Sequence, residues 1–244
     1  MPLTLEVAAV MLLATIIRSA FGFGEALVAV PLLALLIPVE LAAPVAVFAS
    51  VLVAGAVLAQ DWRHADFRSA GRLVVSTLFG IPLGLFALKT VPEPAVKAAL
   101  GAIVVAYALY ALANRKPRVL RDDRWVWPFG FFAGVFGGAY GLNGPPLAVY
   151  GSLRGWSPAR FRATLQGYFL PASLVGAIGY AVAGLWTPTA LRLSAASIPS
   201  IVIGVPLGRS LSRRLAPGTF LRVLNGFLAV VGLILFLEGI RGGV

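Results

Sequence analysis

Apolar runs broken by charge, proline or glycine divide the chain into ten segments, at about 3–20, 25–37, 40–60, 70–89, 94–113, 125–139, 144–153, 160–184, 189–209 and 217–239. Eight are long enough, some with tilt, to cross a hydrocarbon core of about 30 Å, which takes roughly 20 apolar residues per helix. The second and seventh hold only about ten to thirteen residues, a length that suits re-entrant or interfacial pieces. The pattern predicts an all-α polytopic membrane protein with about eight spanning helices and two short, broken segments.

The short segments come second in each group of five, which points to a duplication. Gly80-Ile81-Pro82-Leu83-Gly84 matches Gly204-Val205-Pro206-Leu207-Gly208 at four of five positions, and Lys89 then falls opposite Arg213. Phe21-Gly22-Phe23-Gly24 aligns with Tyr140-Gly141-Leu142-Asn143, which sets Ala29-Val30 on Ala148-Val149. The expected organisation is a first transmembrane repeat at 1–114, a cytoplasmic linker at 115–124 and a second repeat at 125–244. Five segments is an odd number, so the second copy enters the bilayer from the opposite face. Secondary transporters are commonly built from such inverted repeats, with the substrate site at the repeat interface.

Composition agrees with a lipid solvent. Of 244 residues, 59% are hydrophobic and 12% charged, with mean hydropathy +0.92, against about 25% charged in soluble domains. The net charge of +11 would ordinarily suggest nucleic acid, but the basic residues sit in the gaps between apolar runs. With the N-terminus outside and all segments alternating, the inner gaps hold sixteen of the twenty basic residues, from Arg18 through the cluster Arg115–Arg124 to Arg222. That is the positive-inside asymmetry. It predicts a bacterial inner-membrane protein with both termini periplasmic and no nucleic-acid partner. The first segment has no Lys or Arg ahead of it and carries Glu6, so it reads as a mature helix and not as a signal peptide. Cysteine is absent, and the one histidine and nine acids are scattered. No cofactor or metal is expected. His64, in the mixed loop Asp61–Asp66, reads as a solvated loop residue.

The chemistry concentrates at two breaks, Phe21–Glu25 and Gly137–Pro146. Glycine permits φ > 0 and close backbone approach, and proline ends a helix. Each break leaves backbone N–H and C=O groups that lipid cannot satisfy. A helix that starts just after such a break aims free N–H groups and a positive dipole end into the gap, which favours an anion. Candidate substrate-binding residues are Gly22, Gly24, Glu25, Gly141, Asn143, Gly144, Arg162 and Gln166. Glu25 is a carboxylate within an apolar run, where ionisable residues usually face a cavity and serve function. Two roles are open to it: proton uptake coupled to anion movement, or capping of the helix that begins at Ala26. Arg162 and Gln166 share a face of the eighth segment. An arginine fork suits an oxyanion, while Arg160 and Arg162 also fit as anchors at the cytoplasmic end. Gln166 lies a turn deeper. The paired Gly-x-Pro-Leu-Gly motifs read as tight, kinked helix crossings.

FGFGEALVAVPLLALL resembles a variant of the glycine-rich repeat signature of the TauE/SafE sulfite exporter family, and GGAYGLNGPPLAVYGSLRGWSPARFRATLQGYF resembles its second copy. The GIPLG and GVPLG motifs fit the later helix of each half. The likeness runs from about 10 to 240 and departs from the commoner pattern at Glu25 and Asn143, which stand in place of glycines. It implies a secondary carrier that exports sulfite, sulfonates or related organic anions without ATP, in line with the lack of a GxxxxGK[ST] phosphate loop. The expected partners are a small anion, the bilayer and, through Glu25, protons. An anion or small-solute channel is the alternative. An intramembrane enzyme lacks a nucleophile–base pair.

Overall fold

The computed structural model describes residues 3–61, 65–113, 120, 122–212 and 217–242. Among these the chain is helical without strands. The first half holds α1 (Leu3–Phe21), α2 (Glu25–Ala34), α3 (Val39–Asp61), α4 (Phe67–Thr90) and α5 (Glu93–Ala113). The second holds α6 (Val126–Tyr140), α7 (Gly144–Leu153), α8 (Pro158–Val182), α9 (Pro188–Ala196), α10 (Ile198–Ser212) and α11 (Pro217–Arg241). Trp62, Arg63 and His64, most of the expected linker, and Arg213 lie outside the described residues.

Among the described residues, seven stretches are long and apolar enough to cross a bilayer, with α9 and α10 forming one of them. α6, expected as an eighth span, has 15 residues, about 22 Å of helix. The ninth expected segment is divided at Ser197, whose N–H bonds back to Leu193 and Ser194. Pro199, two residues later, has no N–H to continue the ladder, so the helix restarts there. Large apolar side chains cover the outside, among them Val182 at 86% and Phe79 at 72% exposure, a surface suited to acyl chains and not to water. α2 is the reverse. Leu27, Val28, Ala29, Val30, Pro31, Leu33 and Ala34 are all buried, so this short helix is enclosed on every side. Gly144 to Ala148 in α7 are likewise buried.

The packing pattern survives exchange of the two halves. α4 packs on α6, and its counterpart α10 packs on α1; α3 meets α8, and α5 meets α11. The two glycine–proline motifs make the α4–α6 and α10–α1 crossings. A Cβ at Gly80 would overlap the Phe131 carbonyl, and one at Gly84 the Val135 carbonyl. At the equivalent Gly204 and Gly208 the nearby carbonyls are Leu12 and Ile16. Leu12 and Ile16 are the counterparts of Phe131 and Val135 in the register that pairs Phe21 with Tyr140. Ser76 Oγ donates to the Trp127 carbonyl and Ser200 Oγ to the Ala8 carbonyl, at 2.5 and 2.8 Å, and these residues correspond as well.

The start of α4 is tied to α8. Asp66 caps α4 by accepting from the Ser69 N–H at 3.0 Å and the Ser69 hydroxyl at 2.9 Å, and it pairs with Arg160. Its own N–H donates to Thr164 Oγ1 at 3.0 Å. Burial pushes the Asp66 pKa up, but the hydrogen bonds from Arg160 and Ser69 outweigh it and hold the carboxyl below its usual value. A depressed folded-state pKa stabilises the fold above the unfolded value of about 3.9, and that stabilisation fades as pH falls through the lower folded value. Asp66→Ala is expected to cost about 1 kcal/mol. Asp66→Asn keeps an acceptor for Ser69 and should remove this residue's share of the acid-side loss, as followed by melting temperature between pH 3 and 7.

Candidate functional site

The chain turns out of α1 at Gly22 and Gly24, with φ of +87° and +98°, values that only glycine adopts at little cost. Gly141, at φ +66°, ends α6, and its N–H returns to the Gly137 carbonyl at 2.8 Å. α2 then begins at Glu25. Its first intrahelical bond is from the Val28 N–H to the Gly24 carbonyl at 3.0 Å, so the N–H groups of Glu25, Ala26 and Leu27 lie ahead of the ladder. No side chain caps this helix. The start of α7 is poorer in donors, because Pro145 and Pro146 carry no N–H.

Both breaks border one cavity of about 20 Å³, lined by Arg18, Gly24, Glu25, Ser50, Gly141, Asn143, Gly144 and Phe169, among others. This is room for roughly one water. Arg18 dominates it. Its Nη1 donates to the Glu25 carboxylate and, at 2.8 Å, to Ser50 Oγ; its Nη2 donates to Gln166 Oε1 at 3.0 Å. The Gln166 amide donates to the Gly22 carbonyl at 2.6 Å, which fixes the break against α8. The Phe169 ring centroid lies 4.8 Å from the guanidinium carbon, within cation–π range. Ser173 and Ser50 share a hydrogen bond of 2.8 Å. Arg18, Glu25 and Gln166 are 3%, 1% and 0% exposed. Charges so deep persist only when paired and hydrogen-bonded. Even so, Glu25 Oε1 and Arg18 Nε are buried without a partner among the described residues, one acceptor and one donor left over.

Asn143 is seated by a second chain of bonds. It donates to Tyr168 Oη at 3.3 Å; Tyr168 is 2.7 Å from Thr77 Oγ1, which donates to the Gly130 carbonyl at 2.9 Å. The Asn143 side chain fills the space that a Cβ at Gly137 would take.

The family model described as "Sulfite exporter TauE/SafE" matches residues 7–235. The chain belongs to the TauE/SafE sulfite exporter family. The probable sulfite/organosulfonate exporter TauE of Cupriavidus necator is 26% identical over 228 residues, which cover 92% of this chain and 89% of that protein. No solved structure matches. The resemblance carried by the glycine breaks and the paired motifs is thereby borne out. The chain is a multi-pass membrane transporter and not an enzyme.

Within this TauE/SafE chain the sequence-predicted residues sort as follows. Gly24, Glu25, Gly141, Asn143 and Gly144 meet at the cavity. Gly22 and Gln166 stand just behind it, bonded to each other and, through Gln166, to Arg18. Arg162 is not among the lining residues; its stem packs on Gly22, where a Cβ would overlap Arg162 Cγ. Two polar lining residues were not anticipated. Ser50 has no sequence signal, being one serine in an apolar run. Arg18 was assigned to a cytoplasmic gap, and the fold corrects this: it lies in the interior, paired with Glu25. The Glu25 side chain likewise pairs with Arg18 and does not cap α2. In the repeat register the counterparts of Arg18 and Glu25 are Gly137 and Gly144, so the ion pair belongs to the first half alone.

Proposed function

We propose that the chain is a secondary exporter of small sulfur oxyanions, sulfite or organosulfonates, that works by alternating access between two antiparallel repeats. The observation that carries this reading is a guanidinium, Arg18, buried in a cavity bordered by both chain breaks. The oxyanion seat consists of the Arg18 fork and the free N–H groups at the start of α2, with Asn143 and Gly144 facing them. Fork and helix terminus both favour a tetrahedral or planar oxyanion. At about 20 Å³ the cavity holds roughly one water, so it must widen to admit the anion. Rocking of one half against the other about the α3–α8 and α5–α11 contacts opens it.

In this form Glu25 occupies the place of the anion on Arg18. An incoming oxyanion takes over Arg18, and the displaced carboxylate, left without its cation in a low-dielectric interior, is stabilised by taking up a proton. Anion affinity therefore rises as pH falls. The Arg-rich loops lie in the cytoplasm of a bacterial inner membrane, and both termini are periplasmic. With one proton carried per anion, a monovalent sulfonate crosses without net charge and leaves down its own concentration gradient, and only a divalent anion gains from an inside-negative potential, at about 2.3 kcal/mol per net charge per 100 mV; neither case uses ATP.

The test is counterflow in proteoliposomes with methanesulfonate, whose charge is constant over the pH range. Saturable exchange whose half-saturating concentration falls from pH 8 to pH 6 is expected. Glu25→Gln should abolish the pH dependence while exchange persists. Conductance steps without counterflow would indicate a pore, and no movement of any sulfur oxyanion would refute the reading.

A further inference from the structure

Beside the Arg18 cavity lies a larger one of about 150 Å³. Phe21 and Phe23 from the break, Leu27 of α2, Tyr107 and Ala111 of α5, and Leu224 of α11 form most of its wall. The two cavities share Gly24 and Leu27. Gly24, which borders both, has no side chain, and a Cβ there would meet Ile17 Cγ2 at 3.5 Å. Phe23 lines the larger cavity, edge-on to Tyr107 at 6.4 Å and to Phe161 at 5.7 Å between ring centroids. The wall is mostly apolar, with Asn225 among its polar members, and a cavity of this size has room for a molecule as large as benzene. A bare oxyanion on Arg18 makes no use of it. An anion that carries an apolar body occupies both cavities at once, head on the guanidinium and body past Gly24.

We propose that the 150 Å³ cavity seats the apolar body of the substrate, so that this exporter favours sulfonates bearing a short alkyl chain or a single aromatic ring over sulfite. The proposal rests on the oxyanion seat at Arg18 argued above. Ala111 and Leu224 set the length of body that fits, and Phe23 sets its width.

The experiment is competition against labelled sulfite in proteoliposomes, using methane-, ethane-, propane-, butane- and octanesulfonate together with benzenesulfonate. Each methylene buried in the cavity should lower the half-inhibitory concentration about fourfold up to butanesulfonate, with octanesulfonate losing the trend and benzenesulfonate more potent than methanesulfonate. Ala111→Leu, which fills part of the cavity, should lower the potency of butane- and benzenesulfonate at least tenfold relative to that of methanesulfonate. A flat series in the unmodified protein overturns the proposal whether or not the variant folds. An equal loss for every anion in Ala111→Leu also overturns it, since the cavity would then be a common passage. Sulfite transport with a flat series leaves the exporter reading intact and removes only the tail seat. Absence of transport for all of these anions removes both.

Discussion

Arg18→Met is expected to abolish sulfonate exchange and to destabilise the folded protein by about 3–5 kcal/mol, the usual cost of removing one partner of a buried pair. The loss has two separable sources. Glu25 would be left buried without its cation, and Gln166 and Ser50 would lose the donor that holds them. The double variant Arg18→Met/Glu25→Met separates stability from transport. Replacing both members of a buried pair by apolar groups of similar volume is often neutral or stabilising. The double variant should therefore regain most of the unfolding temperature in detergent and still move no anion. If it transports, Arg18 is not the anion seat. If the single variant is as stable as the unmodified chain, the pair contributes only geometry.

How Arg18 escaped notice shows where sequence reasoning reaches its limit. An arginine at the end of an apolar run, just before a glycine-rich break, looks the same whether the break lies in a cytoplasmic loop or inside the protein. The difference is made by Gly22 and Gly24, which turn the chain back so that α2 lies fully enclosed and its first residue meets the preceding turn of α1. Glu25 was legible because a carboxylate in an apolar run has few explanations, and its partner was seven residues away. Gln166 was legible for a similar reason: it lies too deep for an anchor. Arg162 shares its helix face but packs its stem on Gly22, because that glycine leaves a slot which a long aliphatic chain fills. Ser50 carries no signal, since serine is common in membrane helices and only its juxtaposition with α1 and α8 gives it a role. The breaks themselves were legible from glycine alone. The division at Ser197 was passed over because the residues on either side of Pro199 keep their apolar character, and hydropathy does not register a missing N–H.

The matched motifs of the two halves fall at helix crossings, and this yields the second large effect. Short sequence matches persisted where two backbones touch. Gly80→Ala and Gly84→Ala are expected to destabilise the protein most among the four motif glycines, by about 1–3 kcal/mol or more each, as for other overpacked sites. At both, the new Cβ meets main chain: the Phe131 and Val135 carbonyls, and the amides of Val135 and Ala139 at 2.7 Å. Backbone in a packed helix cannot give way as a side-chain tip can. Gly208→Ala follows, against the Ile16 carbonyl and Ser19 Cβ. Gly204→Ala should be mildest of the four, since its nearest atoms belong to the Thr15 side chain, at 2.8 Å, and Leu12 O is 3.4 Å away. Gly55 and Gly71 supply the control. Nothing lies within 4 Å of a Cβ at either, so alanine there should be neutral or stabilising by up to about 1 kcal/mol through its better helix propensity. Unfolding temperatures of the six variants in one detergent test the order. If Gly80→Ala and Gly84→Ala melt with Gly55→Ala, the α4–α6 crossing is looser than drawn here, and the matched motifs mark something other than contact between the two halves.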